Sequence, residues 1–161
     1  MIYFDSCYLA RLYLWEPDSP AVRAQAAASG DVACCLIGWG ELVATLHRHL
    51  RDGRLTPPQF RRLAAQVAAD VRDRLWTPLP VTSELAEAQA RRITGLSGKV
   101  FLRAADALHL TCAAEAGLKE IYSNDRHLVA AAPHFGLKPI TLTQRQAAAY
   151  DSTYALTGSG G

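Results

Sequence analysis

Short apolar runs alternate along the chain with segments in which apolar residues recur at helical spacing. The apolar runs predict five strands, over residues 2–4, 32–37, 76–81, 120–123 and 139–142. The intervening segments predict helices, among them 40–51, 84–93 and 103–116, with a loop over 92–100. This alternation is typical of β-α units and predicts an α/β fold around a central, mostly parallel sheet.

The clearest helix signal follows Thr56. Thr56 suits the capping position, Pro57 the first helical position, and Gln59 completes a capping box. Apolar residues then recur on one face as far as Val71. Two earlier and weaker amphipathic segments, 8–15 and 22–28, are candidates for a groove or a dimer surface.

Length and composition favour a single domain. A chain of 161 residues that is 50% hydrophobic can bury a core without a structural metal or disulfides. We assign 1–145 to this domain and 146–161, which ends in Thr-Gly-Ser-Gly-Gly, to a flexible tail. The four cysteines form no C-x-x-C pair and are expected to be reduced. With no secretion signal and no apolar run long enough for a membrane span, a cytoplasmic protein is expected.

Four acidic residues fall where predicted strands end or the next helices begin. Asp5 directly follows the first strand, and Asp125 lies just past the fourth. Glu41 and Asp106 are placed in the first turns of predicted helices. Each acid alone is explained by helix capping, but ligands of open parallel sheets bind outside the carboxyl ends of the strands, where all four would converge. Four converging carboxylates would repel one another, and a divalent cation would relieve that repulsion.

Carboxylate oxygens favour Mg²⁺ or Mn²⁺ over zinc. A cation of this kind can activate a water, orient a phosphodiester and neutralise charge on the leaving oxygen, so the acids predict hydrolysis at phosphorus. The chain has no G-x-G-x-x-G after its first strand and no G-x-S-x-G, which excludes the usual nucleotide-cofactor and serine-hydrolase sites. The net charge of +2 means that an anionic partner must be met by a local basic patch.

The segments around these acids resemble those of the PIN-domain ribonucleases, and within them the VapC-type toxins of bacterial toxin–antitoxin pairs. The resemblance is carried by Ile2-Tyr3-Phe4-Asp5-Ser6, Gly40-Glu41-Leu42, Ala105-Asp106-Ala107-Leu108-His109-Leu110 and Ser123-Asn124-Asp125-Arg126-His127-Leu128. It implies a PIN-like three-layer α/β/α domain with a central, mostly parallel sheet.

The resemblance also implies a site and partners. The family's catalytic and metal-binding acids fall on Asp5, Glu41, Asp106 and Asp125, with Ser6, Ser123 and Asn124 as supporting residues. The implied activity is that of an Mg²⁺- or Mn²⁺-dependent endoribonuclease acting on RNA, and the implied partners are a small cognate antitoxin and a second copy of the chain. One position departs from the family: Cys7 stands where a small hydroxyl or amide residue is common.

Basic and aromatic residues supply further candidates. Arg126, Arg11 and Arg103 lie near the acidic motifs and are candidates for RNA contact. His109 lies one turn beyond Asp106, where it would orient that acid, touch RNA or serve the core. Three tryptophans, Trp15, Trp39 and Trp76, are candidates for base stacking or for the core.

Two other classes of function compete with the nuclease. One is a non-catalytic PIN-like module that binds RNA or protein through the same acids. The other is a metal-dependent phosphatase or a receiver-like signalling domain, which also places acids at strand ends. A receiver would need an acidic pair near the first strand and a positioned lysine, and the sequence lacks that set.

Overall fold

The computed structural model describes residues 1–142. The predicted tail, 146–161, lies outside the described residues, as do the last three residues of the predicted domain. The elements in chain order are β1 (Ile2–Phe4), α1 (Ser6–Arg11), α2 (Ser19–Ser29), β2 (Val32–Cys35), α3 (Leu36–Arg51), α4 (Pro57–Arg72), β3 (Thr77–Leu79), α5 (Ser83–Thr94), α6 (Ala104–Glu115), β4 (Glu120–Tyr122), α7 (Arg126–Ala131), a 3₁₀ helix (Ala132–Phe135) and β5 (Lys138–Ile140).

The five strands form one sheet in the order β3-β2-β1-β4-β5, and every neighbouring pair is parallel. Successive residues of each strand point to opposite faces of the sheet. Phe4 of β1 therefore joins the core under α1–α4, whereas Tyr3 joins the core under α5–α7. The result is the three-layer α/β/α arrangement, with a mostly parallel central sheet, that the sequence predicts.

The boundary between β2 and α3 corrects the sequence prediction. The strand ends at Cys35 and the helix begins at Leu36, whereas the sequence predicts a strand to residue 37 and a helix from Gly40. Gly38 and Gly40 are weak helix formers, which made the segment resemble a bend. The packing of α3 on the sheet overrides that preference, so the helix is four residues longer at its start.

The other predicted boundaries shift by three residues or fewer. Strands β3 and β4 are shorter than predicted, and each ends at the residue that pairs with the last residue of its parallel neighbour. Strand β5 begins one residue earlier than predicted, because Lys138 already pairs with Glu120 of β4. The predicted loop from residue 92 begins only after α5 ends at Thr94. The capping box of α4 is confirmed: the Gln59 amide N–H donates to the Thr56 hydroxyl, and the Thr56 amide N–H donates to the Gln59 side chain. Across residues 1–142, no helix has the length and apolar character to cross a membrane.

Candidate metal centre

Between β1 and β4, at the centre of the sheet, the order in which the chain adds strands changes direction. From β1 the chain builds outward through β2 to β3, and it then returns to the other side of β1 to form β4 and β5. Neighbouring crossovers that leave in opposite directions open a crevice outside the carboxyl ends of the strands. Asp5 follows β1 and Asp125 follows β4, so both acids lie at this crevice.

Asp5 is buried, with 3% of its surface exposed. Its Oδ1 accepts a hydrogen bond of 2.8 Å from the Tyr8 amide and so caps α1, and its Oδ2 accepts one from the Ser123 hydroxyl. Burial raises the pKa of the Asp5 carboxyl, and these two hydrogen bonds only partly oppose the rise. The ionised carboxylate is therefore held in place at an electrostatic cost.

Asp125 is fixed by the same serine. The Ser123 hydroxyl accepts a hydrogen bond of 3.0 Å from the Asp125 amide while donating to Asp5. One carboxylate oxygen of Asp125 caps α7 by accepting from the amides of His127 and Leu128, at 2.8 and 3.1 Å. Ser123, which is fully buried, thus connects the ends of β1 and β4 and sets the relative positions of the two acids.

Asp106 lies in the first turn of α6, as predicted. Its Oδ2 is buried and, within the described chain, has no hydrogen-bond partner. Burial and the charge of Asp125 raise the pKa of the Asp106 carboxyl, while the positive charge of Arg103 acts in the opposite direction. An unsatisfied carboxylate oxygen is costly, and each exception of this kind calls for an explanation.

Glu41 is held by a chain of buried hydrogen bonds. Its Oε2 lies 2.8 Å from Nε2 of His109, and Nδ1 of His109 lies 2.8 Å from the hydroxyl of Tyr3. The Tyr3 hydroxyl in turn accepts a hydrogen bond of 2.9 Å from the Cys35 amide. Because that amide can only donate, the Tyr3 hydroxyl can donate its proton to Nδ1 when His109 is neutral and can accept from Nδ1–H when His109 is charged. In both states Nε2–H of His109 donates to Glu41.

This series of hydrogen bonds also keeps Glu41 ionised. Burial alone would raise the pKa of the Glu41 carboxyl, but the hydrogen bond and charge of His109, with a further contribution from Ser6, bring the pKa below its usual value. Burial opposes protonation of His109, yet Glu41 and Asp5 together raise the pKa of His109 above its usual value. Glu41 is therefore kept ionised by residues of α6 and β1.

The position of Glu41 on α3 is a correction. The sequence predicts it in the first turn of its helix, but α3 begins at Leu36 and Glu41 is its sixth residue. It still reaches the crevice because Gly38 lets α3 pack closely against the neighbouring layer. A Cβ added at Gly38 would overlap the Cys34 sulfur and would lie 3.2 Å from Cε1 of His109.

The four predicted acids lie close enough together to interact electrostatically with one another or with the same neighbouring residue, Cys7. Partial removal from water raises the pKa of the Cys7 thiol to about 12, and the charges of Asp5, Asp125 and Glu41 contribute to that rise. Asp106 joins the group through its repulsion from Asp125. We call the four carboxylates, of Asp5, Glu41, Asp106 and Asp125, the acidic rim. Cys7, the residue that departs from the family pattern, lies among them.

The acidic rim fits a hydrated divalent cation. Over residues 1–142, no three side chains of the His, Cys, Asp and Glu types are gathered closely enough to hold one metal ion together. Mg²⁺ takes only one or two carboxylates directly and keeps several waters, so a wider arrangement of acids suits it. The unsatisfied Oδ2 of Asp106 supplies one oxygen, and the repulsion between Asp106 and Asp125 is what a cation would remove.

Only some of the remaining predicted residues lie at the acidic rim. Ser6 and Ser123 touch the rim acids, whereas the Asn124 amide lies 3.4 Å from Asp18. Arg11 is paired with Asp18 at 2.6 Å, while Arg103 and Arg126 lie beside Asp106 and Asp125 in the chain. Of the tryptophans, Trp76 is in the core, Trp39 packs against it, and Trp15 is exposed.

Sequence reasoning missed the role of Tyr3 and the partner of His109. The sequence allows His109 to orient Asp106, touch RNA or serve the core, and in the structure it is buried with hydrogen bonds to Glu41 and Tyr3. No local pattern signals these contacts, because the residues lie 68 and 106 positions apart in the chain. The one signal in the sequence is a histidine flanked by Leu108 and Leu110 in a largely apolar helix, since a buried imidazole needs polar partners.

Comparison with known families agrees with this geometry. A sequence model of the PIN domain family matches residues 2–132, which contain all four acids of the rim. No curated protein sequence matches the chain significantly.

Proposed function

The chain belongs to the PIN domain family, and from this membership we propose that it is an Mg²⁺- or Mn²⁺-dependent endoribonuclease. PIN domains are usually metal-dependent nucleases, so hydrolysis of a nucleic acid with a divalent metal ion is the family's general activity. The internal cleavage of RNA, the choice of Mg²⁺ or Mn²⁺ and the assignment of the acidic rim as the catalytic site are our proposal.

The observation that carries the proposal is the unsatisfied carboxylate oxygen of Asp106. It is buried, it lies in the field of Asp125, and burial together with that field raises the pKa of its carboxyl. A helix cap or a structural ion pair would leave this oxygen bonded. A carboxylate with one buried oxygen that has no hydrogen-bond partner among residues 1–142, next to a second acid that repels it, is the arrangement expected at a cation site.

The chain's own residues then divide the work. Asp5, Asp106 and Asp125 would hold the cation directly or through water, with Ser123 fixing two of them relative to each other. Glu41, kept ionised by His109, adds a fixed negative charge on the α3 side of the rim. A divalent cation bound there supplies activation of the attacking water and neutralisation of charge on the phosphodiester. Arg103 and Arg126 flank the rim and suit the neighbouring phosphates.

Cleavage assays with Asp106→Asn and Asp5→Asn test this proposal. Each substitution keeps the size of the side chain and removes one negative charge from the rim. We expect each to lower cleavage of single-stranded RNA in Mg²⁺ or Mn²⁺ by about a hundredfold or more, the loss typical when one charge-stabilising group is removed from a catalytic site. Chelator should abolish cleavage by the unaltered protein.

Asp70→Asn is the matched control. Asp70 is also a buried aspartate, 7% exposed, but it lies in α4 and its carboxylate accepts a hydrogen bond of 2.6 Å from Gln66. Its replacement should leave cleavage within about threefold once folding has been verified by circular dichroism. Full activity of Asp106→Asn would overturn the assignment of the rim. Tight RNA binding by the unaltered protein with no cleavage in either metal would favour the non-catalytic module.

A toxin role, a small antitoxin partner and a homodimer form the narrower part of the proposal, and they rest on the resemblance to VapC-type toxins. Induced expression in a bacterial host tests the toxin role: the unaltered chain should arrest growth and Asp106→Asn should not. Growth that continues at matched expression levels would contradict it. Sedimentation velocity of the purified chain tests the dimer independently of activity.

A further inference from the structure

One large aromatic side chain is exposed beside the acidic rim and is not used in the proposed cleavage chemistry. Phe101, in the segment between α5 and α6, has 58% of its surface exposed. Its ring packs on the imidazole of His127, with ring centroids 4.3 Å apart and planes inclined by 47°. The guanidinium carbon of Arg103 lies 5.9 Å from the centroid of the same ring.

This aromatic pair spans the two segments that carry Asp106 and Asp125. Arg103 immediately precedes α6 and lies three residues before Asp106. His127 donates its amide hydrogen to the carboxylate of Asp125 at 2.8 Å. The rings of Phe101 and His127 are therefore tied on both sides to the part of the rim where a cation and a phosphate would be handled.

The chemistry around the rings suits a nucleobase. Nε2 of His127 accepts a hydrogen bond of 3.2 Å from Nε of Arg126, so a second guanidinium group lies against the edge of the imidazole ring. Exposed aromatic rings with arginines close by are a common platform for unpaired bases, because every base has a face that can stack and its phosphates meet the guanidinium groups. A paired base in a duplex has no free face to offer.

We propose that Phe101 and His127 form a stacking platform for one unpaired base of single-stranded RNA, adjacent to the phosphodiester at the acidic rim. The inference rests on the proposed nuclease function and deepens it by naming the residues that contact a base beside the cleaved phosphodiester. Arg103 and Arg126 contact the phosphates on either side of that base.

Binding of a fluorescent, unstructured RNA of about twelve nucleotides, measured by anisotropy in chelator, tests the platform directly. Phe101→Ala should weaken binding by about tenfold, within the range found when one stacking aromatic is removed. Phe101→Trp should restore it. Trp15→Ala is the matched control: Trp15 is also exposed, at 73%, and has an arginine, Arg23, over its ring, but it belongs to a different part of the surface. Its replacement should change the affinity by less than twofold.

A scan with abasic residues identifies the base. At one position of the RNA, removing the base should cost the unaltered protein the same factor of about ten and should cost Phe101→Ala nothing further, because the same contact is being removed twice. Annealing the RNA to its complement should abolish the difference between the two proteins. In Mg²⁺, Phe101→Ala should raise KM with little change in kcat.

The outcomes separate this inference from the proposed function. Equal affinities of the unaltered protein and Phe101→Ala for the single strand, in a protein that cleaves RNA, would overturn the platform and leave the nuclease intact. A tenfold loss of binding in a protein that never cleaves would support the platform and overturn the nuclease. Failure of the unaltered protein to bind any single-stranded RNA would overturn the platform as well.

Discussion

Glu41 and Asp106 lie on the same acidic rim, but the described part of the fold provides a hydrogen-bond partner for the Glu41 carboxylate and none for one oxygen of Asp106. Glu41 is paired with His109, which is oriented by Tyr3, which in turn is fixed by the Cys35 amide. Asp106 keeps a buried oxygen with no partner in the described chain and is repelled by Asp125. The pKa of the Glu41 carboxyl is lowered and the pKa of the Asp106 carboxyl is raised.

The difference indicates which side of the rim is completed by the fold and which side by a ligand. On the Glu41 side the fold already holds an ionised carboxylate in place by a hydrogen bond from His109, so this side is ordered before a cation binds. The Asp106 side pays a desolvation and repulsion cost that a cation would remove. Exposed basic and aromatic residues, including Arg103 and Phe101, also lie on that side.

The strongest test of the completed side is His109→Ala. It leaves Glu41 without its partner and creates a cavity between α6 and β1, so we expect a loss of about 2–4 kcal/mol in the free energy of unfolding. We also expect Mn²⁺ affinity, measured by isothermal titration, to fall by about tenfold or more, the usual cost of losing a group that orients a metal-binding side chain.

His109→Gln separates positioning from packing. A glutamine amide can donate to Glu41, so this variant should recover most of the Mn²⁺ affinity even if part of the stability is lost. If both variants bound Mn²⁺ as tightly as the unaltered protein while being destabilised, His109 would serve the core alone and the comparison between the two sides would fail.

Gly38→Ala tests how closely α3 must approach. The added methyl group would overlap the Cys34 sulfur and press on His109, which predicts a loss of about 1–3 kcal/mol in urea unfolding. Gly40→Ala is the control in the same helix, because a Cβ there meets nothing within 4 Å. That variant should gain up to about 1 kcal/mol from better helix propensity. Equal effects of the two substitutions would contradict the close-packing account.

Much of this arrangement follows from local rules that can be read in the sequence. Asp5 and Asp125 each end a strand and cap the next helix, and Asp106 lies in the first turn of α6, so their common edge could be predicted. The start of α3 could not, because the packing that overrides two glycines is tertiary. The Glu41–His109–Tyr3 chain and the Phe101–His127 contact depend on side chains brought together only by the sheet order.

Tyr3→Phe tests the same series of hydrogen bonds with a smaller expected loss of stability than His109→Ala. The substitution keeps the ring but removes the hydroxyl that serves both the Cys35 amide and Nδ1 of His109, which predicts a loss of about 1–2 kcal/mol. Tyr13→Phe is a matched control, since the Tyr13 hydroxyl accepts a hydrogen bond of 2.9 Å from Trp76 away from the rim. Both variants should lose stability, but only Tyr3→Phe should weaken Mn²⁺ binding. A similar effect of Tyr13→Phe on the metal would argue against a specific role of Tyr3.

Asp106→Asn tests the uncompensated side, and its effect on stability should be the smallest and of opposite sign. Because folding raises the pKa of the Asp106 carboxyl, the favourable contribution of this group is complete at low pH, where it is protonated in both states. That contribution is lost as the pH rises through the folded-state pKa. Without metal, the variant should therefore match the unaltered protein at about pH 3, below the ordinary pKa of aspartate, and should have a higher Tm than the unaltered protein at neutral pH.

Added Mg²⁺ should reverse that order. A cation that binds the folded state stabilises it in proportion to its saturation, so the Tm of the unaltered protein should rise with Mg²⁺ at neutral pH, whereas the Tm of Asp106→Asn should respond much less. Asp70→Asn should keep the full Mg²⁺ response, since its carboxylate is paired with Gln66. If Asp106→Asn instead destabilised the metal-free protein, Oδ2 of Asp106 would have a partner in the fold, and the rim would be complete on both sides without a cation.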